Sequence, residues 1–306
     1  MAGSGDRIRV VDVGPRDGLQ NEKQPVPTEI KIQLIAALAD AGLPVVEATS
    51  FVSPRWIPQL ADAEAVMAGI GRRTGTRFPV LVPNVRGLER AMAAGASEIA
   101  VFTAASETFN RHNINVGIDE SLERIQAVAA RAGTAGLPVR GYVSCVLGCP
   151  YQGDIASGAV VAVAERLVEA GCYEVSLGDT IGIGTPTAAR KLVETVAESI
   201  GMERIAVHFH DTRGQALANV FACLETGVTT VDASVAGLGG CPYARGATGN
   251  LATEDLVYML NGMGMTTGID LAALVQAGLL ISDFLGRPPA SRLGAIAALE
   301  RKKNTD

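Results

Sequence analysis

Short β-rich runs alternate with longer helical patterns along the whole chain, and this alternation is what most limits the folds open to it. The runs cover residues 8–13, 45–48, 78–82, 99–102, 139–145, 174–177, 205–209 and 230–235. They are mostly apolar, as strands buried on both faces must be. Between them lie segments such as 29–41, 122–135 and 159–170, rich in Ala, Leu, Glu and Lys at helical spacing. Ala-Gly recurs ahead of a new strand at Ala41-Gly42, Ala94-Gly95 and Ala170-Gly171, where glycine suits a left-handed helix C-cap. Eight βα units in series predict an α/β fold, a closed (β/α)8 TIM barrel with extra C-terminal helices. An open doubly wound sheet is the alternative. Its dinucleotide fingerprint is missing from the first turn, which reads Val13-Gly14-Pro15-Arg16-Asp17-Gly18. The 306 residues are expected to form one domain, with the barrel over about 8–265, helices over about 266–300 and a frayed charged tail from Arg301.

Charge and composition remove several classes of function. The formal net charge is −6 and no basic stripe is visible, which argues against a nucleic-acid partner. No uninterrupted apolar run reaches the roughly 18 residues of a membrane span. The first ten residues have neither the apolar centre of a signal peptide nor the Arg/Ser-rich pattern of a transit peptide. Five cysteines form an odd set, and a reduced, cytoplasmic setting is expected. Cys145 and Cys149 lack a second Cys/His pair at zinc spacing and read as free thiols.

Barrel active sites lie at the C-terminal ends of the strands. Strand 1 ends in Arg16-Asp17, strand 2 carries Glu47, strand 6 ends in Asp179, and strand 7 ends in His208-Phe209-His210. Residues i and i+2 of a strand point to one face, so both imidazoles face the mouth together. Only three histidines occur in the chain, and two of them are here. The pair reads either as metal ligands or as polar residues satisfied by hydrogen bonds at a strand end. Closure would bring strand 8 beside strands 7 and 1, so Asp17 and Asn250 can meet His208 and His210. Two imidazoles, a carboxylate and an amide oxygen suit Mg2+ or Mn2+. Taken singly, Asp17 reads as a turn cap and Asn250 as a turn residue. Glu47 and Asp179 read equally as structural ion-pair partners. Arg16 is either a surface partner of Asp17 or a stabiliser of negative charge on a substrate oxygen. Cys241 follows two glycines that let its loop close over a site, or is an ordinary exposed thiol.

At this point the motifs are recognisable. The chain resembles the 3-hydroxy-3-methylglutaryl-CoA lyase family of metal-dependent barrel enzymes. The resemblance rests on Gly14-Pro15-Arg16-Asp17-Gly18-Leu19-Gln20-Asn21-Glu22, Glu47-Ala48-Thr49-Ser50-Phe51, Ser176-Leu177-Gly178-Asp179-Thr180, His208-Phe209-His210-Asp211 and Gly239-Gly240-Cys241-Pro242-Tyr243. It extends from about residue 8 to about residue 299. The resemblance implies that Asp17, His208, His210 and Asn250 bind a divalent cation, Mg2+ or Mn2+. It also implies catalytic roles for Arg16, Glu47, Asp179, His208 and Cys241, an acyl-CoA substrate, and a homodimer or higher homo-oligomer. Lys23, Arg55, Arg111 and Arg213 are candidate CoA contacts. The competing readings are a condensing enzyme or aldolase on the same scaffold, a lyase for a longer 3-hydroxy-3-alkylglutaryl-CoA, and a non-catalytic metal- or acyl-CoA-binding protein.

Overall fold

The computed structural model describes residues 7–240 and 249–303. Strand β1 is Arg9–Asp12, and β2 comes in two pieces, Val45–Val46 and Thr49–Ser50. Then follow β3 (Val80–Leu81), β4 (Ile99–Ala104), β5 (Val139–Ser144), β6 (Cys172–Asp179), β7 (Ile205–Phe209) and β8 (Thr230–Ala233). Every neighbouring pair is parallel, and β8 returns to pair with β1. The expected strand over 45–48 is therefore longer and interrupted. Its first piece pairs with β1 and its second with β3. The gap is bridged by Glu47 N–H to the Asp12 carbonyl at 2.8 Å and Ala48 N–H to the Pro79 carbonyl at 3.0 Å. The ring of strands is thus closed, as the sequence predicts.

Helices α1 (Thr28–Asp40), α2 (Ala63–Ile70), α3 (Val85–Ala93), α4 (Glu107–Ile114), α5 (Ile118–Thr134), α6 (Ser157–Glu169), α7 (Pro186–Ile200), α8 (Ala216–Leu224) and α9 (Thr253–Gly262) follow the strands in order. Two more, α10 (Leu271–Leu285) and α11 (Arg292–Lys303), complete the C-terminal part. Helix α11 runs to Lys303, so the expected fraying from Arg301 is corrected: Arg301 pairs with Asp283 of α10 at 2.7 Å. The starts have recognisable caps. Asn84 accepts the Gly87 N–H, Ser106 the Phe109 N–H, and Asp270 those of Ala272 and Ala273.

Alternate strand residues face opposite sides of the barrel wall and fall into separate apolar clusters. Val10, Val46, Val80, Val101, Val175, Val207 and Val231 are buried in the large apolar cluster shared with the helices. Val11, Val13 and Val45 form a second, separate cluster, and Leu81, Ala100 and Tyr142 a third. The rest of the interior is polar. Arg140, 1% exposed, donates to Glu174 at 2.7 Å, to Asp232 at 2.7 and 3.2 Å, and to the Tyr142 hydroxyl at 2.8 Å. A buried guanidinium is tolerated because its charge is balanced and its N–H groups are used.

The turn after β8, Val235–Gly237, holds Ala236 at φ 57°, a left-handed conformation costly for a residue with a Cβ. It is kept there by both Glu254 oxygens, which accept the Ala236 N–H at 2.9 and 3.0 Å, and by the Ala290 N–H on the Ala236 carbonyl. Nearby, Asp12 accepts the Gly14 N–H and the Thr253 hydroxyl. Burial pushes Asp12 up to about 7 and Glu254 up to about 8. The folded chain therefore holds these protons more tightly than the unfolded one. Their contribution is full below the unfolded carboxyl range near pH 4 and is lost as pH rises through about 7 to 8. Glu254→Gln removes one of these titrations. Thermal unfolding measured from about pH 5 to about pH 9 should lose stability less steeply in the variant than in the parent. Parallel curves would show that Glu254 carries none of the dependence.

Candidate metal centre and active site

The polar rim begins at the end of β1. There the carbonyl of Val13 accepts N–H groups from Arg16, Asp17 and Gly18 at 3.2, 2.7 and 3.1 Å, winding Gly14–Gly18 into a π-helical turn. Such turns are rare and concentrate at functional sites. This one projects Arg16 and Asp17 side by side. It needs close approach: a Cβ on Gly18 would lie 2.7 Å from the Leu238 Cβ. Residues 249–251 are placed differently. Asp211 N–H bonds to the Gly249 carbonyl and Leu251 N–H to the Phe209 carbonyl, so Asn250 lies antiparallel opposite His210.

These two pieces of backbone bring the expected ligands together. Asp17, His208 and His210 each offer an atom within 4.8 Å of the others. Asn250 joins them, its Nδ2 donating to Asp17 Oδ2 at 2.8 Å. His210 Nδ1 and Asn250 Oδ1 are buried and, among the described residues, have no hydrogen-bond partner. Buried polar atoms are normally satisfied, and a divalent cation would use both lone pairs. Burial alone would raise the Asp17 carboxyl, but Arg16, His208, His210 and Asn250 outweigh it and hold it at about 2. Burial and the neighbouring His208 bring His210 down to about 4, so its imidazole is neutral at neutral pH. The donor set therefore fits a cation: a carboxylate, a neutral imidazole and an amide oxygen, beside a second imidazole.

Arg16 is held on two sides, its Nε donating to Glu47 at 2.8 Å and its Nη1 to Asp17 at 2.6 Å. Burial opposes its charge, yet Glu47 and Asp17 raise its pKa above the ordinary value. Burial likewise lifts the Glu47 carboxyl, against the pull of Arg16. Glu47 is thus the ion-pair partner of Arg16 and a member of the rim at once. Asp179 is engaged elsewhere at the same rim. Its carboxylate accepts the Ile183 and Gly184 N–H groups at 3.2 and 2.8 Å, and its backbone carbonyl accepts the His210 N–H at 3.4 Å. Burial nevertheless raises its pKa. Cys241 lies outside the described residues. Cys145 and Cys149 are free and buried, as expected.

Of the candidate CoA contacts, Lys23 lines a cavity of about 400 Å3 with Gln24, Gly239, Gly240 and Arg287. Arg55 is exposed, Arg111 pairs with Glu107, and Arg213 donates to the Ile181 and Gly182 carbonyls. Sequence reasoning gave no role to Arg140, Tyr142 or Ser176, although each lies in a stretch that resembles the family, and it passed over Asp232 altogether. Tyr142 lies between two guanidinium groups, 5.5 Å from Arg16 and 4.9 Å from Arg140. The signal that would have found these residues is period-two polarity inside strands that should be apolar throughout: 140 and 142, 174 and 176, 230 and 232.

Comparison with known proteins follows the same residues. A family model described as HMGL-like matches residues 7–281. The chain is 56% identical to a Gallus gallus protein named hydroxymethylglutaryl-CoA lyase, mitochondrial, over 95% of this chain and 98% of that one. It is 56% identical to a Danio rerio protein named 3-hydroxy-3-methylglutaryl-CoA lyase, cytoplasmic, over 94% and 85% of the two chains. The crystal structure of hydroxymethylglutaryl-CoA lyase from Pseudomonas aeruginosa matches with a TM-score of 0.94 at 54% identity, covering 97% of this chain and 99% of that one.

The cluster makes a direct prediction. In calorimetric titration of chelator-treated protein with Mn2+, His210→Ala should weaken binding by more than the about 10–100-fold typical of losing an outer partner. Parent-like affinity would remove His210 from the ligand set.

Proposed function

Because the chain belongs to the HMGL-like family, we propose that it cleaves 3-hydroxy-3-methylglutaryl-CoA to acetyl-CoA and acetoacetate by divalent-metal-dependent retro-Claisen chemistry. The observation that carries this reading is the joining of Asp17, His208, His210 and Asn250 beside an arginine anchored by Glu47. The nitrogen and oxygen donors, with no thiolate among them, favour Mg2+ or Mn2+. Asp17, His208, His210 and Asn250 would hold such an ion, and it would supply Lewis acidity to oxygens of the substrate.

The residues then divide the work. His208 and Asp179 are the two groups proposed to take the proton of the tertiary hydroxyl. As the C2–C3 bond breaks, acetoacetate leaves and the enolate of acetyl-CoA remains. Arg16 spends two N–H groups on Glu47 and Asp17 and keeps others to stabilise the enolate oxygen. Glu47 fixes the plane of that guanidinium. Cys241 is assigned the return of a proton to carbon, an ordinary thiol of pKa about 8.5 being close enough to neutral for acid work. The cavity beside Lys23 and Arg287 gives the acyl-CoA a place at the mouth.

We also place the chain in the cytoplasm, as the name of the Danio rerio relative suggests for that protein. Among the described residues no helix is long and apolar enough to cross a membrane. A homodimer or larger homo-oligomer is supported by exposed apolar side chains on two helices in contact, Tyr258 of α9 and Ile296 and Leu299 of α11.

Metal-stripped protein should form no acetoacetate from 3-hydroxy-3-methylglutaryl-CoA, and added Mg2+ or Mn2+ should restore it. Absence of product with either ion would reject this substrate and direct the assay to longer branched acyl-CoA analogues. Arg16→Gln should lower kcat by about two orders of magnitude or more, the usual loss for an oxyanion stabiliser. A change in KM alone would make Arg16 a binding residue instead. Cys241→Ala should lose most of kcat while retaining the ion, and unchanged turnover would take Cys241 out of the chemistry.

A further inference from the structure

Asp232 stands directly beside His208 in the register of β7 and β8. Its carboxylate is fully buried and surrounded by donors. Oδ1 accepts Arg140 Nη2 at 2.7 Å. Oδ2 accepts Arg140 Nη1 at 3.2 Å and the Ser176 hydroxyl at 2.7 Å, and it meets His208 Nδ1 at 3.3 Å. Arg140 cannot lose its proton, and a carboxylate paired with it in this two-pronged way is an anion. An ionised carboxylate can only accept. The hydrogen between Oδ2 and Nδ1 must therefore belong to the imidazole. Tyr142 stands edge-on to the His208 ring, with centroids 6.2 Å apart and an interplanar angle of 82°.

We propose that Asp232 is a positioning residue that keeps the proton of His208 on Nδ1 and so presents an unprotonated Nε2 to the cluster of Asp17 and His210. Nothing on the substrate side is needed for this: the carboxylate is oriented from below by Arg140, which is itself anchored on Glu174. With Nδ1 tied to Asp232 and Nε2 turned to a cation, His208 would have no nitrogen free to act as a base, and of the two groups named above Asp179 would be left to take the hydroxyl proton. The purpose of the arrangement rests on the metal-lyase reading, but the tautomer itself does not.

The test reads the imidazole directly. Metal-free full-length chain, labelled with 15N, carries only three histidines, His112, His208 and His210. Long-range proton–nitrogen correlation, recorded well above the ordinary histidine pKa of about 6.5, should show His208 with a protonated Nδ1 and a pyridine-type Nε2. Asp232→Asn should abolish that signature and lower Mn2+ affinity, followed by paramagnetic resonance, about 10- to 100-fold. Ser176→Ala, which leaves the charge of Asp232 in place, should keep the signature. A parent spectrum with the proton on Nε2 overturns the proposal, and so does an Asp232→Asn protein with unchanged tautomer and Mn2+ affinity. If Asp232→Asn fails to fold because Arg140 loses its partner, the parent spectrum decides alone. A parent that binds Mn2+ and shows the tautomer but cleaves no acyl-CoA would overturn the functional reading and leave this one standing.

Discussion

A guanidinium sealed inside a barrel sets the terms for everything above it. Arg140 is buried away from bulk solvent, so its surroundings must supply both countercharge and acceptors. Glu174 and Asp232 supply the charge, and the Tyr142 hydroxyl takes a further N–H. Each partner has a second obligation. Asp232 turns its remaining acceptor to His208, and the Tyr142 hydroxyl lies 3.3 Å from Glu47, which grips Arg16. Arg16 in turn binds Asp17, and Asp17 receives Asn250. The polar contacts therefore run without a break from the middle of the barrel to the rim and along both sides of the candidate metal centre. A polar network of this kind is stabilising only when every member is satisfied, which is why its geometry admits little variation.

The rim is held by backbone more than by side chains. The π-helical turn after β1 and the turn at Ala236 pack against each other, so close that only glycine fits at 18. Glu254 pins the strained Ala236, and the antiparallel pairing of 249–251 with 209–211 sets the height of Asn250.

Much of this was legible in the sequence, because the eight strands and the polar residues at their C-terminal ends follow rules of periodicity and topology. His208 and His210 stood out by spacing, and closure of the barrel allowed Asp17 and Asn250 to meet them; the structure places Asp17 with both imidazoles and Asn250 against Asp17 and opposite His210. What stayed hidden depends on contacts between strands. The break in β2 arises because residues 45–50 must hydrogen-bond to β1 on one side and to β3 on the other while the barrel curves. The π-helical turn has no compositional mark beyond its glycines. Arg140 and Asp232 were overlooked because attention to strand ends passes over the middles. The engagement of Asp179 with Ile183 and Gly184 depends on the path of a loop that no periodicity describes.

Asp17 and Asn250 touch across 233 positions of chain, and their contact exists only once β8 has come home against β1. A chain leaving the ribosome makes its arginine and first carboxylate early and its last donor after some four-fifths of synthesis is done. Until then the donors of the candidate cation site lie on separate stretches of chain. They converge only when the ring of strands closes, so the candidate site and the sealed core are completed together.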